Sequence, residues 1–120
     1  MEQFAISGVS NDHWTSGEKV TLRYDDAQIE NNSDLELYIS YNTYGEKQHI
    51  VIYANEEIIA DYDAMGSEEK EIIIPGSVID NGKLLLEILL PDAKKPENGD
   101  QRKLALWMKK MIIREAIYQQ

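Results

Sequence analysis

Apolar and polar residues alternate along most of the chain, which is the pattern of β-strands that bury one face. The clearest example is residues 35–42, where Leu35, Leu37 and Ile39 share one face with Tyr41. The same reasoning predicts eight strands, which begin near residues 4, 20, 35, 49, 57, 71, 83 and 104. Turn residues separate these strands: Asn55-Glu56 is expected to form a tight hairpin turn, residues 63–69 a loop, and residues 77–80 one helical turn capped by Ser77. No longer segment has the period of an amphipathic helix. The pattern therefore predicts an all-β fold, an antiparallel β-sandwich (jelly-roll-like) of about eight strands.

The region at residues 83–113 has the most strongly apolar strands. Residues 84–90 and 104–108 each alternate with an apolar residue at every second position. We expect these strands to form a hairpin in the core, joined by a loop at residues 91–102. That loop is rich in proline, asparagine, aspartate and glycine, and at about a dozen residues it has the length at which loops are often functional or mobile.

The last strand changes phase partway along. Its apolar residues fall into two sets of opposite parity: Leu104, Leu106 and Met108, then Met111 and Ile113. A β-bulge at Lys109 and Lys110 would return both sets to the core and leave both lysines solvated. In the first of these registers, Trp107 points away from the core.

Composition and charge narrow the choice of partners. With 120 residues, of which 42% are hydrophobic, the chain is expected to form a single domain spanning residues 1–120. The formal net charge of -10 repels polyanions, which disfavours nucleic acid and anionic membranes and favours neutral or cationic ligands. The apolar runs are too short to cross a bilayer, so no direct membrane insertion is expected. The absence of cysteine excludes disulfides and thiolate metal sites.

Catalytic and metal-binding motifs are not recognisable in the sequence. No nucleophile motif, phosphate-binding loop or spaced carboxylate pair is present, so we predict that the protein is not an enzyme and needs no cofactor. Asp12 beside His13 could act in acid–base chemistry, although a solvated or capping role is the simpler interpretation. His13 and His49 have no ligand spacing. A calcium site is one interpretation of the acidic residues Asp25, Asp26, Asp61, Asp63, Glu68 and Glu69, and a solvated acidic surface is the preferred one.

Aromatic residues offer a different chemistry, because sugar rings stack their C–H faces on flat aromatic side chains. The candidates for such a platform are Trp14, Tyr38, Tyr44 and Trp107, and their candidate polar partners are Asp92, Asp100 and Arg102. We place the ligand-binding site at Trp107, Asp92, Asp100, Arg102 and Trp14. Two structural alternatives compete with this interpretation. Trp14 could be a largely buried plug beneath its loop, and Arg102 could pin the loop by an ion pair with Asp100.

The order of several short motifs resembles that of a known group of domains. These motifs are His13-Trp14-Thr15-Ser16-Gly17, the strand from Gln48 to Ala54 with Asn55, Pro91-Asp92-Ala93, Pro96, Asp100, Arg102, Leu104 and Met108. The order is similar to that in accessory β-sandwich domains of bacterial enzymes that build cell-surface polysaccharide, including glycosyltransferases and phosphoglycerol-transferase-like proteins. The resemblance implies a noncatalytic, carbohydrate-associated module whose partners are a glycan and a parent transferase domain.

Two functions therefore remain open at the level of sequence. The first is a carbohydrate-binding accessory module, and the second is a protein-interaction or oligomerisation domain that docks its parent enzyme. A sugar-binding module should present an exposed aromatic ring beside polar side chains. A docking domain should instead present a contiguous apolar patch.

Overall fold

The computed structural model describes residues 4–25, 33–80 and 82–116. These residues contain eight β-strands and one short 3-10 helix. The strands are β1 (Phe4–Ser7), β2 (Lys19–Asp25), β3 (Leu35–Thr43), β4 (Gln48–Ala54), β5 (Glu57–Ala64), β6 (Ser67–Ile74), β7 (Lys83–Leu89) and β8 (Leu106–Glu115), and the 3-10 helix is Gly76–Val78. The predicted all-β class and the number of strands are confirmed.

The strands form two antiparallel sheets that enclose one apolar core. The larger sheet has the order β1-β2-β7-β4-β5, and the smaller has the order β6-β3-β8. Inward-facing side chains alternate with outward-facing ones, as the strand period requires. The largest fully buried side chains come from both sheets: Leu22, Leu35, Leu37, Ile39, Tyr41, Ile50, Ile52, Ile74, Leu86, Ile88, Leu90 and Leu106. The architecture is therefore a β-sandwich.

The predicted hairpin between the last two strands is wrong. β7 pairs with β2 and β4 in the larger sheet, whereas β8 pairs with β3 in the smaller one. The segment between β7 and β8 thus carries the chain from one sheet to the other. Alternation shows which face of a strand is buried, but two such strands can contact each other either as sheet neighbours or across the core. Here they contribute to the core from opposite sheets.

The bulge expected from the phase change in β8 is confirmed. Ser40 lies opposite Lys110 and Tyr41 lies opposite Met108, so Lys109 is the extra residue. Both lysines are exposed, while Met108 and Ile113 are buried. One inserted residue thus keeps the apolar residues on both sides of it in the core.

The turns between neighbouring strands differ in how well the sequence predicts them. Asn55 and Glu56 form the expected two-residue hairpin turn, with φ of 45° and 73°, as in a type I′ turn. The loop predicted at residues 63–69 is instead a tight turn, because Gly66 adopts a φ of 72° and β6 begins at Ser67. The helical turn predicted at residues 77–80 begins one residue earlier, and the expected Ser77 cap is absent since Pro75 precedes the turn.

Candidate functional site

Residues 10–17, here called the edge loop, run along the outer edge of β8. The Thr15 amide donates to the Leu106 carbonyl at 2.9 Å, and the Met108 amide donates to the His13 carbonyl at 2.8 Å. Between these bonds, the backbone of Trp14 forms an isolated β-bridge with Trp107. The edge loop therefore extends the smaller sheet and brings its aromatic residues next to those of β8.

Thr15 fixes the edge loop from the inside. Its side chain is 0% exposed, and its hydroxyl oxygen accepts hydrogen bonds from the amides of Ala105 at 3.2 Å and Leu106 at 3.0 Å. Backbone amides buried in a core need partners. The Thr15 hydroxyl supplies one to each of these two amides.

Arg102 joins the loop at residues 91–102 to the edge loop. It contacts Asp100 through Nη2 at 2.7 Å and Asp12 through Nη1 at 3.0 Å. The hydrogen bonds from Arg102 lower the pKa of Asp100 to about 2 and also lower the pKa of Asp12. The ion pair expected between Asp100 and Arg102 is present, with Asp12 as an additional partner. Its geometry matches the structural alternative in which Arg102 pins the loop.

Trp107 points away from the core, as its register predicts. Its indole N–H donates to the Asp12 carbonyl at 3.0 Å, and the His13 ring lies 5.5 Å away, tilted by 45°. The side chain is therefore half-buried beneath the edge loop. Its polar edge is already hydrogen-bonded within the protein.

Trp14 is partly exposed, and it is not among the side chains that pack in the apolar core. Neighbouring side chains of an extended segment point to opposite sides, and Thr15 takes the inward position. Trp14 lies instead against Tyr44, with ring centroids 5.9 Å apart in an edge-to-face arrangement. Its ring therefore braces Tyr44 and does not fill the core.

Tyr44 lies beside an open cleft of about 550 Å³, here called the Tyr44 cleft. The cleft is lined by Tyr44, Gly45, Glu46, Lys47, Gln48, Asp92 and Lys94. The Tyr44 backbone is fixed on both sides, since its amide donates to the Ala105 carbonyl at 2.7 Å and its carbonyl accepts from Gln48 Nε2 at 2.7 Å. The cleft thus combines a fixed aromatic residue with groups that can hydrogen-bond a ligand.

Gln48 is the unexpected member of this lining. It is 1% exposed, and its Oε1 has no hydrogen-bond partner within the part of the chain that the structure describes. A buried acceptor without a partner is costly, so such groups are rare in folded proteins. The sequence held a signal for it, because Gln48 occupies an inward position of β4, where residues 50, 52 and 54 are apolar.

The five predicted site residues divide into two groups. Trp14, Asp100, Arg102 and Trp107 are connected through the edge loop, whereas Asp92 lines the Tyr44 cleft. One oxygen of Asp92, Oδ2, accepts the His49 amide at 3.0 Å. The contact between Trp14 and Tyr44 links the two groups. Sequence reasoning did not identify Glu46, Gln48 or Lys94.

His49 lies between two aspartates on the outer side of the larger sheet. Its Nε2 is 2.7 Å from Asp61 Oδ1, and its Nδ1 is 2.7 Å from Asp63 Oδ1. Two of the acidic residues considered for calcium are therefore bound to an imidazole. Among the residues described, no group of three or more His, Asp or Glu side chains is arranged so that it could hold a metal ion, and Asp26 lies outside these residues.

We expect the pKa of His49 to lie above its ordinary value, with the hydrogen bond to Asp63 as the largest cause. The stability that this raised pKa contributes is present below the unfolded pKa of about 6.5 and is lost as pH rises through the folded pKa. An NMR titration of the imidazole should show a lower pKa in Asp63→Asn and a smaller decrease in Asp61→Asn. Equal values in all three proteins would contradict these contacts.

Comparisons with known proteins add little to this picture. No protein-family model matches the chain, and no curated protein matches it. Among solved structures, the chain is similar to the CBM36-1 domain of a multidomain xylanase from the hindgut metagenome of Trinervitermes trinervoides. The alignment has 10% identity and a TM-score of 0.46, and it covers 98% of this chain and 99% of that chain. A likeness at this level carries no functional argument.

No helix in the described residues is long and apolar enough to span a membrane.

Proposed function

We propose that this domain binds a neutral or cationic glycan in the Tyr44 cleft and catalyses no reaction. The observation that carries the proposal is the aromatic residue fixed beside an open cleft with polar walls. Sugar rings combine an apolar face with a rim of hydroxyl groups, so they suit an aromatic surface flanked by hydrogen-bonding side chains. This site is next to the predicted one and shares Asp92 with it.

Preorganisation of Tyr44 supports the proposal. The backbone bonds to Ala105 and Gln48 and the ring contact with Trp14 hold the residue in place before any ligand arrives. A platform that is already ordered loses little conformational entropy on binding. The contacts of Tyr44 therefore favour recognition by a rigid site.

The Tyr44 cleft is lined by two carboxylates and two ammonium groups, and several of these groups are available to bind a ligand. Glu46 and Lys94 form no ion pair with other described residues, and Asp92 uses only Oδ2 in its bond to His49. These groups can accept from or donate to sugar hydroxyls. Because the whole chain has a net charge of -10, an anionic polysaccharide is disfavoured.

Three perturbed carboxyl groups support a noncatalytic role. The pKa values of Asp12, Asp63 and Asp100 are lowered, and in each case a hydrogen bond from a basic side chain is the largest cause. A general acid at neutral pH requires the opposite shift. These carboxylates are suited to hold loops and strands in place.

The biological setting is proposed from the sequence resemblance alone. On that basis, the domain is an accessory module of a bacterial enzyme that builds surface polysaccharide, and it holds the glycan near a parent transferase domain.

The alternative docking function receives less support from the surface. The exposed large apolar residues of the described chain are Ile6, Ile58, Met65 and Ile73. Ile6 and Ile58 lie on strands at opposite edges of the larger sheet, so the four residues do not form one contiguous patch.

Tyr44→Ala should weaken glycan binding by at least about tenfold, which corresponds to roughly 1.4 kcal/mol. The reason is that the variant removes the aromatic face and leaves the polar lining intact. Calorimetry with the tightest neutral oligosaccharide from a glycan array measures this effect. Tyr38→Ala is the matched control, since the Tyr38 ring lies on the smaller sheet under Arg114. Equal losses in the two variants, with both folded, would contradict the site.

A further inference from the structure

We propose a second carbohydrate-binding site on the outer face of the larger sheet, here called the Tyr53 groove. It has a volume of about 350 Å³ and is lined by Lys19, Tyr53, Glu56, Glu87 and Leu89. Its ligand is an unbranched neutral glycan whose rings lie flat on the sheet. The groove shares no lining residue with the Tyr44 cleft, so the two sites can be tested separately.

The groove crosses three strands, and its apolar residues, Tyr53 and Leu89, lie on two of them. Tyr53 on β4 lies opposite Glu87 on β7, and Leu89 on β7 lies opposite both Val51 and Lys19. The Tyr53 and Leu89 side chains are half-buried and face outward, because Ile52 and Ile88 take the inward positions. From β2 to β4 the groove spans two strand spacings, or about 10 Å. This width accommodates a disaccharide unit, with the C–H face of one ring on Tyr53 and Leu89 and the hydroxyl groups near Lys19 and Glu87.

A β-bulge lies directly beside Tyr53. In the β4–β5 pair, Ile52 is opposite Ala60 but Tyr53 is opposite Ile58, so Ile59 is the extra residue. Bulges bend a strand locally and re-aim side chains, and they are common next to functional sites. The aromatic residue of the groove therefore sits where the sheet departs from regular pairing.

The backbone of the polar rim is well defined. Glu87 forms an ion pair with Lys19 at 2.6 Å. Glu56 occupies the hairpin turn with a φ of 73°, a conformation that glycine adopts more readily. Asn55 anchors this turn, since its side chain donates to the carbonyls of Val78 and Lys83 and accepts from the amide of Leu85.

The balance of charge at the rim defines the class of ligand. Two carboxylates and one ammonium group offer acceptors and a donor to sugar hydroxyls, and their net negative charge disfavours uronic acids. The half-buried tyrosine and leucine supply the apolar contact. An uncharged chain with equatorial hydroxyls, such as a β-1,4-linked glucan, meets both requirements.

The test is an NMR titration of the full chain with cellopentaose. Amide shifts are expected at Tyr53, Glu87 and Leu89. Tyr53→Ala should raise the Kd read from the Glu87 and Leu89 amides by about tenfold, and Glu56→Gly should raise it by about threefold. Glu56→Gly should leave the fold intact, because glycine readily adopts the positive φ of this position. A change in Kd in this variant therefore reports on the loss of the carboxylate.

Two outcomes would overturn the second site. One is the absence of cellopentaose-induced shifts at the groove residues. The other is an unchanged Kd at those residues in both variants. Shifts at Tyr44 and Gly45 report only on the Tyr44 cleft, so they distinguish failure of the groove from failure of the proposed function.

Discussion

Thr15→Val should lower the free energy of unfolding by about 2–5 kcal/mol, because it leaves two buried amides without an acceptor. Valine has nearly the shape of threonine, so the change creates no large cavity. The amides of Ala105 and Leu106 both donate to the Thr15 hydroxyl in the wild-type protein. Chemical denaturation measured by tryptophan fluorescence would give the difference, and signals from Trp14 and Trp107 would report on the edge loop itself.

Thr43→Val is the matched control for this prediction. The Thr43 hydroxyl also makes two hydrogen bonds, to the Gly45 carbonyl and from the Gly66 amide, but it does so at an exposed position. Water can replace both bonds, so we expect a loss of less than about 1 kcal/mol. Similar losses in the two variants would show that burial of the Thr15 bonds does not matter.

Gly8→Ala should lower the free energy of unfolding by about 2–5 kcal/mol, from backbone strain and overpacking together. Gly8 has a φ of 95°, and a Cβ at this residue would lie 2.4 Å from the Lys19 carbonyl oxygen. Backbone atoms cannot rotate away as a flexible side chain can. The Gly8 carbonyl also accepts the Ser16 amide at 2.8 Å, so a shift at Gly8 would be transmitted to the edge loop.

Gly17→Ala separates the two contributions. Gly17 has a similar φ of 100°, but a Cβ there would meet no atom within 4 Å. We therefore expect only the conformational cost, about 1–2 kcal/mol. Thermal or urea unfolding of the two variants gives the difference between them as the cost of the contact with Lys19. Equal losses would contradict the close approach of β1 and β2 at Gly8.

The strands and the bulge could be predicted because they depend on local patterns. Inward and outward positions follow directly from the period of a strand, and the parity change at Lys109 and Lys110 has one simple structural solution. The hairpin turn at Asn55 and Glu56 is equally local. Each of these features is determined by residues close together in the chain.

The pairing of strands could not be predicted in the same way. β7 and β8 have the same apolar pattern whether they are neighbours in one sheet or lie in opposite sheets. Their placement depends on β2 and β4, which occupy both sides of β7. Sheet order is thus set by competition among distant strands, and a single strand carries little information about it.

In the candidate site too, the features that depend on single residues could be predicted, and those that depend on contacts between distant residues could not. The aromatic residues Trp14, Tyr44 and Trp107 and the polar residue Asp92 could be proposed from side-chain chemistry alone. The role of Asp12 as a partner of Arg102 could not, because residues 90 positions apart meet only when the edge loop lies beside β8. The Tyr44 cleft likewise arises where residues 44–48 approach Asp92 and Lys94.

The central claim, glycan binding at the Tyr44 cleft, is tested most directly by mapping the binding surface. The isotope-labelled domain is titrated with neutral bacterial surface glycans while amide shifts are recorded. We expect saturable shifts at residues 44–48 and at Asp92 and Lys94, with weak affinity because one shallow site buries little area. If no glycan shifts these residues and the parent transferase domain does, the domain is a docking module and the proposed function is wrong.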